Sequence, residues 1–232
     1  MSNNDDLYYE SLESLLSSAH SFVLPDGFSL IVGKVNQYQQ ALSLIEERSV
    51  QLTNQYRRKE FIAGRTIAKE AFRSIGWCVS DIPKGGNGCP IWPEGLLGSI
   101  SHTKGFCGAY VGIDASSIAV GFDIEKVEPL AENIWSTFTT KAEIFQASSL
   151  KINDQLFANI LFSAKEACFK ALYPIFLIDT PDISQLSISV TPSNKMLKIE
   201  CSVAEVVCTG CIMFTKDLLV SWCNSRIKPT KV

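Results

Sequence analysis

Between Asp154 and Pro174 the apolar residues Phe157, Ile160, Leu161, Ala164, Cys168 and Ala171 recur at the 3.6-residue spacing of an α-helix. A helix with so continuous an apolar stripe must be covered along its length, so the chain has to build a second layer against it. Ser163, Glu166 and Lys170 stand at i, i+3 and i+7 on the opposite face. Ser163 to Glu166 also reads as a capping box. In a helix that begins near Asp154, however, Ser163 is mid-helix and cannot be a cap. Pro174 is expected to end the element.

The material for that second layer lies on both sides of the helix. FSLIVGKV (28–35) reads as a strand, and helices are expected at about 37–50 and 53–75, the second stopped by Gly76. Leu12, Leu15, Leu16 and Ala19 predict an amphipathic helix in the first twenty residues. PKGGNGCPIWPEGLLGS is too rich in glycine and proline to be a regular element. CGAYVGI and SIAVGFDIE read as two strands around DASS, a good hairpin turn, and short strands fill 184–223. The order, helix and strands twice over, predicts an α+β chain with a boundary near 118–120 and halves at 1–118 and 119–232. No internal sequence identity marks a duplication.

In VGFDIE, side chains alternate between the faces of a strand, so Asp123 and Glu125 point the same way, and Phe122 and Ile124 the other. Carboxylates this close repel unless a cation lies between them, and Mg²⁺ takes a few carboxylates plus substrate phosphate oxygens. Glu166 would add a third carboxylate, and Lys170 an ammonium for a phosphate. An isolated Asp-x-Glu is most often a solvated strand face. It is the company of Glu166 and Lys170 that points to phosphoryl-group chemistry.

Composition narrows the function classes. A chain of 232 residues with 46% hydrophobic and 19% charged residues is globular, and its net charge of −3 argues against a broadly basic nucleic-acid binder. Charge is concentrated locally: Arg57, Arg58, Lys59, Arg65, Lys69 and Arg73 face only Glu60 and Glu70. This is a solvated basic helix face or a site for phosphate or an acidic partner. No apolar run reaches membrane-spanning length and the N-terminus lacks a signal-peptide pattern, so a reducing cytosol is the expected compartment, with peripheral membrane association as an alternative. Of eight cysteines only Cys208 and Cys211 form a CxxC, and a zinc site there would have to draw on Cys201 or Cys223 from neighbouring strands. Buried free thiols are the favoured reading. Ser101 and His102 cannot form a hydrolase pair on one strand face, no GxSxG is present, and KGGNG lacks the GK[ST] of a P-loop.

Four blocks, FIAGRTIAKEAF (61–72), GCPIWPEGLLGSISHT (88–103), AVGFDIEKVEP (119–129) and FSAKEACFKALYP (162–174), occur together in one order. In these blocks the chain resembles the surfactin-type 4′-phosphopantetheinyl transferases, and among them the enterobactin-synthase branch. The resemblance implies two pseudo-symmetric α+β halves with coenzyme A in the cleft between them. It implies that Asp123, Glu125 and Glu166 ligate Mg²⁺ (or Mn²⁺), which also grips the coenzyme A pyrophosphate. Phosphopantetheine would pass to a serine of an apo peptidyl, aryl or acyl carrier protein, releasing adenosine 3′,5′-bisphosphate, with siderophore synthesis as the natural setting. Lys170 would sit beside the pyrophosphate with Lys165 as a second candidate, and Glu166 would draw the proton from the carrier serine. His102 and Ser101 would meet the 3′-phosphate, with Arg65 as its partner and Arg58 as a weaker one. Lys84 and the backbone from Gly88 to Pro90 would lie near the adenine. A monomer is expected.

The loop before Pro90 is glycine-heavier than that family's, and the last fifty residues carry none of its blocks. Two other readings compete. A metal-dependent phosphohydrolase would use the same carboxylates but leave GSISH unexplained. A non-catalytic carrier-binding module would predict an eroded carboxylate set.

Overall fold

The computed structural model describes residues 9, 11–15, 24–51, 53–194 and 196–229. In the first half, β1 (Phe28–Lys34) is followed by α1 (Leu44–Arg48), α2 (Gln55–Ser74), β2 (Leu97–Thr103) and β3 (Phe106–Gly112). In the second, β4 (Ala119–Lys126) precedes α3 (Glu132–Trp135), α4 (Lys141–Leu150) and α5 (Asp154–Phe176). Four strands complete it: β5 (Ile188–Ser193), β6 (Met196–Val203), β7 (Val206–Phe214) and β8 (Leu218–Ile227). Both sheets are antiparallel, with strand orders β1-β3-β2 and β4-β8-β7-β6-β5. In each half the last strand returns to lie beside the first, with the penultimate strand on its other side. The halves therefore share a strand–helix–hairpin plan, which β5 and β6 extend in the second.

Alternation along the strands builds a layered core. On one side of the first sheet, Cys107, Ala109 and Val111 of β3 pack under Ala63, Ile67, Ala71 and Phe72 of α2. The other side presents Leu30, Val32 and Tyr110 to Phe122, Ile124, Met213, Val220 and Trp222 of the second sheet. The far face of that sheet, with Ile199, Ile212 and Leu219, receives the apolar stripe of α5. The order is thus helix, sheet, sheet, helix. Asn54 and Asn153 start the two long helices by accepting the N–H groups of Arg57 and Leu156, each at 2.8 Å.

Several sequence expectations change. The helix expected at 37–50 is a 3₁₀ turn at Val35–Gln37, an irregular stretch and the short α1. Ser43 caps α1, and Gln39 donates instead to the carbonyls of Val35 and Lys59. The DASS turn forms around Asp114, which accepts from Ser116 and Ser117, but β3 and β4 are not a hairpin: β3 pairs with β1 and β2, β4 with β8. The turn passes the chain from one sheet to the other. Pro174 does not end α5, which runs on to Phe176 and stops at Leu177 with a φ of 52°. Of the N-terminal amphipathic helix, 12–15 are helical with Leu15 buried, and Leu16 and Ala19 lie outside the described residues. No helix among the described residues is long and apolar enough to cross a membrane.

Candidate active site

The two halves meet where the edge strand of one sheet, β2, runs past the edge strand of the other, β4. The Phe122 N–H donates to Ser99 Oγ at 3.0 Å across this seam. Gly121 lets α5 close over β4: a β-carbon there would run into the Ala167 carbonyl. Glu166 and Lys170, on the turns of α5 beside Ala167, are thereby set next to the Asp123 and Glu125 face of β4.

Asp123 is the centre of the hydrogen bonding. It is 2% exposed, its Oδ1 accepts from Lys170 Nζ at 2.7 Å and Ser101 Oγ at 2.9 Å, and its Oδ2 accepts from Ser163 Oγ at 2.9 Å. Ser163 is itself held by Ser221, 2.7 Å between their hydroxyls. Glu125 accepts from Thr103 Oγ1 at 3.1 Å. Burial, with the Asp123 charge adding, pushes the Glu125 carboxyl up to about 7. Burial raises Glu166 too, with Lys170 opposing and Asp123 adding. The three carboxylates face one region without closing on each other: among the described residues, their ligand atoms are not a set within 4.8 Å. Buried, mutually repelling oxygens of this kind suit a hard divalent cation, which would relieve both the repulsion and the desolvation.

On the other side of β2 the strand pleat turns His102 toward α2. Its Nδ1 lies 3.4 Å from Glu60 Oε1, and its Nε2 meets the Arg57 guanidinium, which also reaches Glu60 Oε2 at 3.1 Å. Burial lowers the His102 pKa, with Glu60 opposing. A guanidinium can only donate, so Nε2 accepts from Arg57 and Nδ1 faces Glu60. Arg57, His102, Arg65, Lys84, Gly88 and Pro90 share a cavity of about 130 Å³. Arg65 is buried, donates from Nε to the Ile82 carbonyl at 2.7 Å and stacks over Phe61, and burial brings its pKa down to about 10. A larger cleft, about 680 Å³, runs between the loop at 87–92, β2, and Phe169, Lys170 and Tyr173 of α5.

The structure therefore brings Asp123, Glu125, Glu166, Lys170 and Ser101 to one seam, and Arg65, His102, Lys84 and Pro90 to the adjoining cavity. Three expectations change. Lys165 is fully buried and bonds to the Phe138 carbonyl at 2.6 Å and to Glu143 at 3.1 Å, so it faces away from the cleft and is no pyrophosphate ligand here. Arg58 pairs with Glu47 at 2.6 Å and does not line the cavity; its neighbour Arg57 does. Ser101 sits with Asp123 and Lys170, on the opposite strand face from His102. Arg57, Glu60, Thr103 and Ser163 were not singled out as site residues from the sequence. Ser163 carried a signal, its position on the Glu166 and Lys170 face.

Comparison with known proteins points to one family. The family model for the 4′-phosphopantetheinyl transferase N-terminal domain matches 45–112, and that for the 4′-phosphopantetheinyl transferase superfamily matches 119–207. The 4′-phosphopantetheinyl transferase Svp of Streptomyces mobaraensis is 32% identical over 135 residues, 57% of this chain and 54% of that protein. For PptT of Mycobacterium tuberculosis the identity is 35% over 119 residues, 51% of this chain and 52% of the relative. Enterobactin synthase component D of Salmonella typhi is 38% identical over 122 residues, 50% of this chain and 48% of that protein. The chain spans about half the length of the curated relatives it matches. With both family models in sequence and a cleft built from the residues they cover, the chain belongs to the 4′-phosphopantetheinyl transferase superfamily.

Proposed function

We propose that this chain transfers 4′-phosphopantetheine from coenzyme A to a serine of an apo carrier protein. The observation that carries this reading is the convergence of Asp123, Glu125, Glu166 and Lys170 beside a cavity lined by Arg57, Arg65 and His102. The cationic cavity suits the 3′-phosphate of coenzyme A, because guanidinium groups bind phosphate through paired hydrogen bonds. The 680 Å³ cleft alongside is of the size that ligand sites commonly have, and leads from that cavity to Lys170.

Asp123, Glu125 and Glu166 would hold Mg²⁺. When bound, it supplies neutralisation of charge on the leaving pyrophosphate oxygens. Lys170, held against Asp123 and Ser101, is placed to add a second positive charge at the same phosphates. Ser163 and Ser221 fix the Asp123 carboxylate from below, so its orientation is set before substrate arrives. Glu166, on the face of α5 turned toward Asp123, is the candidate to accept the carrier serine's proton. By analogy with the relatives named enterobactin synthase component D, siderophore-type carrier domains are the first substrates to try.

The test is release of adenosine 3′,5′-bisphosphate from coenzyme A and Mg²⁺, followed chromatographically with and without an apo peptidyl carrier domain. Release only with the carrier, and none after EDTA, is expected. Cleavage at the same rate without carrier would favour the phosphohydrolase instead.

A further inference from the structure

Away from the seam, four cysteines converge in the core between α5 and the second sheet. The sulfurs of Cys168 on α5, Cys208 on β7 and Cys223 on β8 lie within 4.8 Å of one another, the one group of three potential ligands to do so among the described residues. Strand register accounts for it. Cys223 stands opposite Gly210, two residues along from Cys208, so both thiols project from the same sheet face. Cys201 of β6 stands directly opposite Cys208, and its thiol interacts with Cys168. Two strand thiols and one helix thiol thus form the close set, and Cys201 stands at its edge, beside Cys208 and within reach of Cys168. All four are at most 2% exposed, and none is in a disulfide. Gly210 keeps the place open, since a β-carbon there would lie 2.6 Å from that of Cys223. The CxxC partner, Cys211, is three residues along β7 and faces the opposite core with Trp222.

We propose that Cys168, Cys208 and Cys223, with Cys201 as fourth ligand, form a closed structural site for a single thiophilic metal ion, Zn²⁺. Thiolate sets of this kind select soft ions over Mg²⁺, and four-coordinate sulfur sites without an open position are structural. Each ligand binds as a thiolate, so loading releases its proton to solvent. Because the thiols are sealed from water, the ion enters as the chain folds. The ion would clamp α5 to β6, β7 and β8 two residues beyond Glu166, so it would hold the catalytic helix in place. The site is independent of the carboxylate seam and of the transferase reading.

The full chain is purified without chelator, and separately refolded under reductant with Zn²⁺ or with Co²⁺ as the spectroscopic probe. Elemental analysis is expected to find one Zn²⁺ per chain, retained by the folded protein in EDTA, and the Co²⁺ form to show thiolate-to-metal charge-transfer absorption. Cys208→Ser and Cys223→Ser should lose both signals, while Cys211→Ser keeps them. A chain that folds with no Zn²⁺ and no Co²⁺ absorption overturns the proposal and leaves four buried free thiols. Metal that persists in both Cys208→Ser and Cys223→Ser, or is lost in Cys211→Ser, overturns it equally. Should the substituted chains not fold, the Co²⁺ spectrum of the unsubstituted chain decides by its presence or absence.

Discussion

Arg57 and Arg58 are consecutive, yet their side chains leave α2 about 100° apart, and that angle separates their roles. Arg57 is drawn to Glu60 and His102 at the cavity, whereas Arg58 spends its charge on Glu47 of α1. Charge-assisted hydrogen bonds contribute about 1.5–3 kcal/mol, so Arg57→Ala should raise the KM for coenzyme A roughly ten- to a hundredfold. Arg58→Ala removes an exposed pair and should change it by no more than about twofold. Steady-state kinetics with varied coenzyme A would show this, and the reverse ranking would refute the assignment. The basic run from 57 to 73 was plain in the sequence, but which of its members meets β2 depends on how α2 rotates over the sheet. Lys165 is a different case. It stands four residues after Leu161 and three before Cys168, on the flank of the apolar stripe, so the helical period already placed it inward.

At the scale of elements, the fit of α5 on β4 decides whether the carboxylates face one another. Gly121 has no room for a side chain against the Ala167 carbonyl. Gly121→Ala should therefore destabilise the chain by about 1–3 kcal/mol and cut turnover more than coenzyme A affinity, because the helix that shifts carries Glu166 and Lys170. Denaturant unfolding and kinetics together would check it, and unchanged turnover would argue against the close packing. The turn between β3 and β4 makes a second prediction. Three donations from Ser116 and Ser117, with Arg226 nearby, hold the Asp114 carboxyl at about 2 instead of the usual 3.8. A depressed carboxyl stabilises the fold above its unfolded pKa and loses that contribution as pH falls toward the folded value. Asp114→Ala should accordingly be less stable than the native chain at neutral pH, with the difference shrinking between about pH 4 and pH 2. Thermal melts across that range would show it, and a constant difference would contradict it. The same turn shows where sequence reading stops. Asp-Ala-Ser-Ser declares a turn through local hydrogen bonding, but whether the flanking strands pair with each other depends on distant partners, here β1, β2 and β8. The reading of 37–50 as one helix failed for a related reason: Gln39 bonds to the Lys59 carbonyl, a contact twenty residues away. By contrast the existence and start of α5, set by a long 3.6-residue period, and the shared face of Asp123 and Glu125, set by strand alternation, were legible, though the end of α5 beyond Pro174 was not.

Over the whole molecule, two unequal halves with one topology place a cationic cavity and a carboxylate seam on either side of β2. The first sheet contributes His102 on one face of that strand and Ser101 on the other, so a single strand touches both ends of the proposed coenzyme A site. The seam exists only when β2 and β4 are side by side, which ties activity to the integrity of both halves. The most direct measurement is the intact mass of an apo peptidyl carrier domain incubated with this chain, coenzyme A and Mg²⁺. The account predicts a gain of one phosphopantetheine, abolished by EDTA and by Asp123→Ala. An unchanged carrier mass with every carrier class tried, or a full gain with Asp123→Ala, would contradict it.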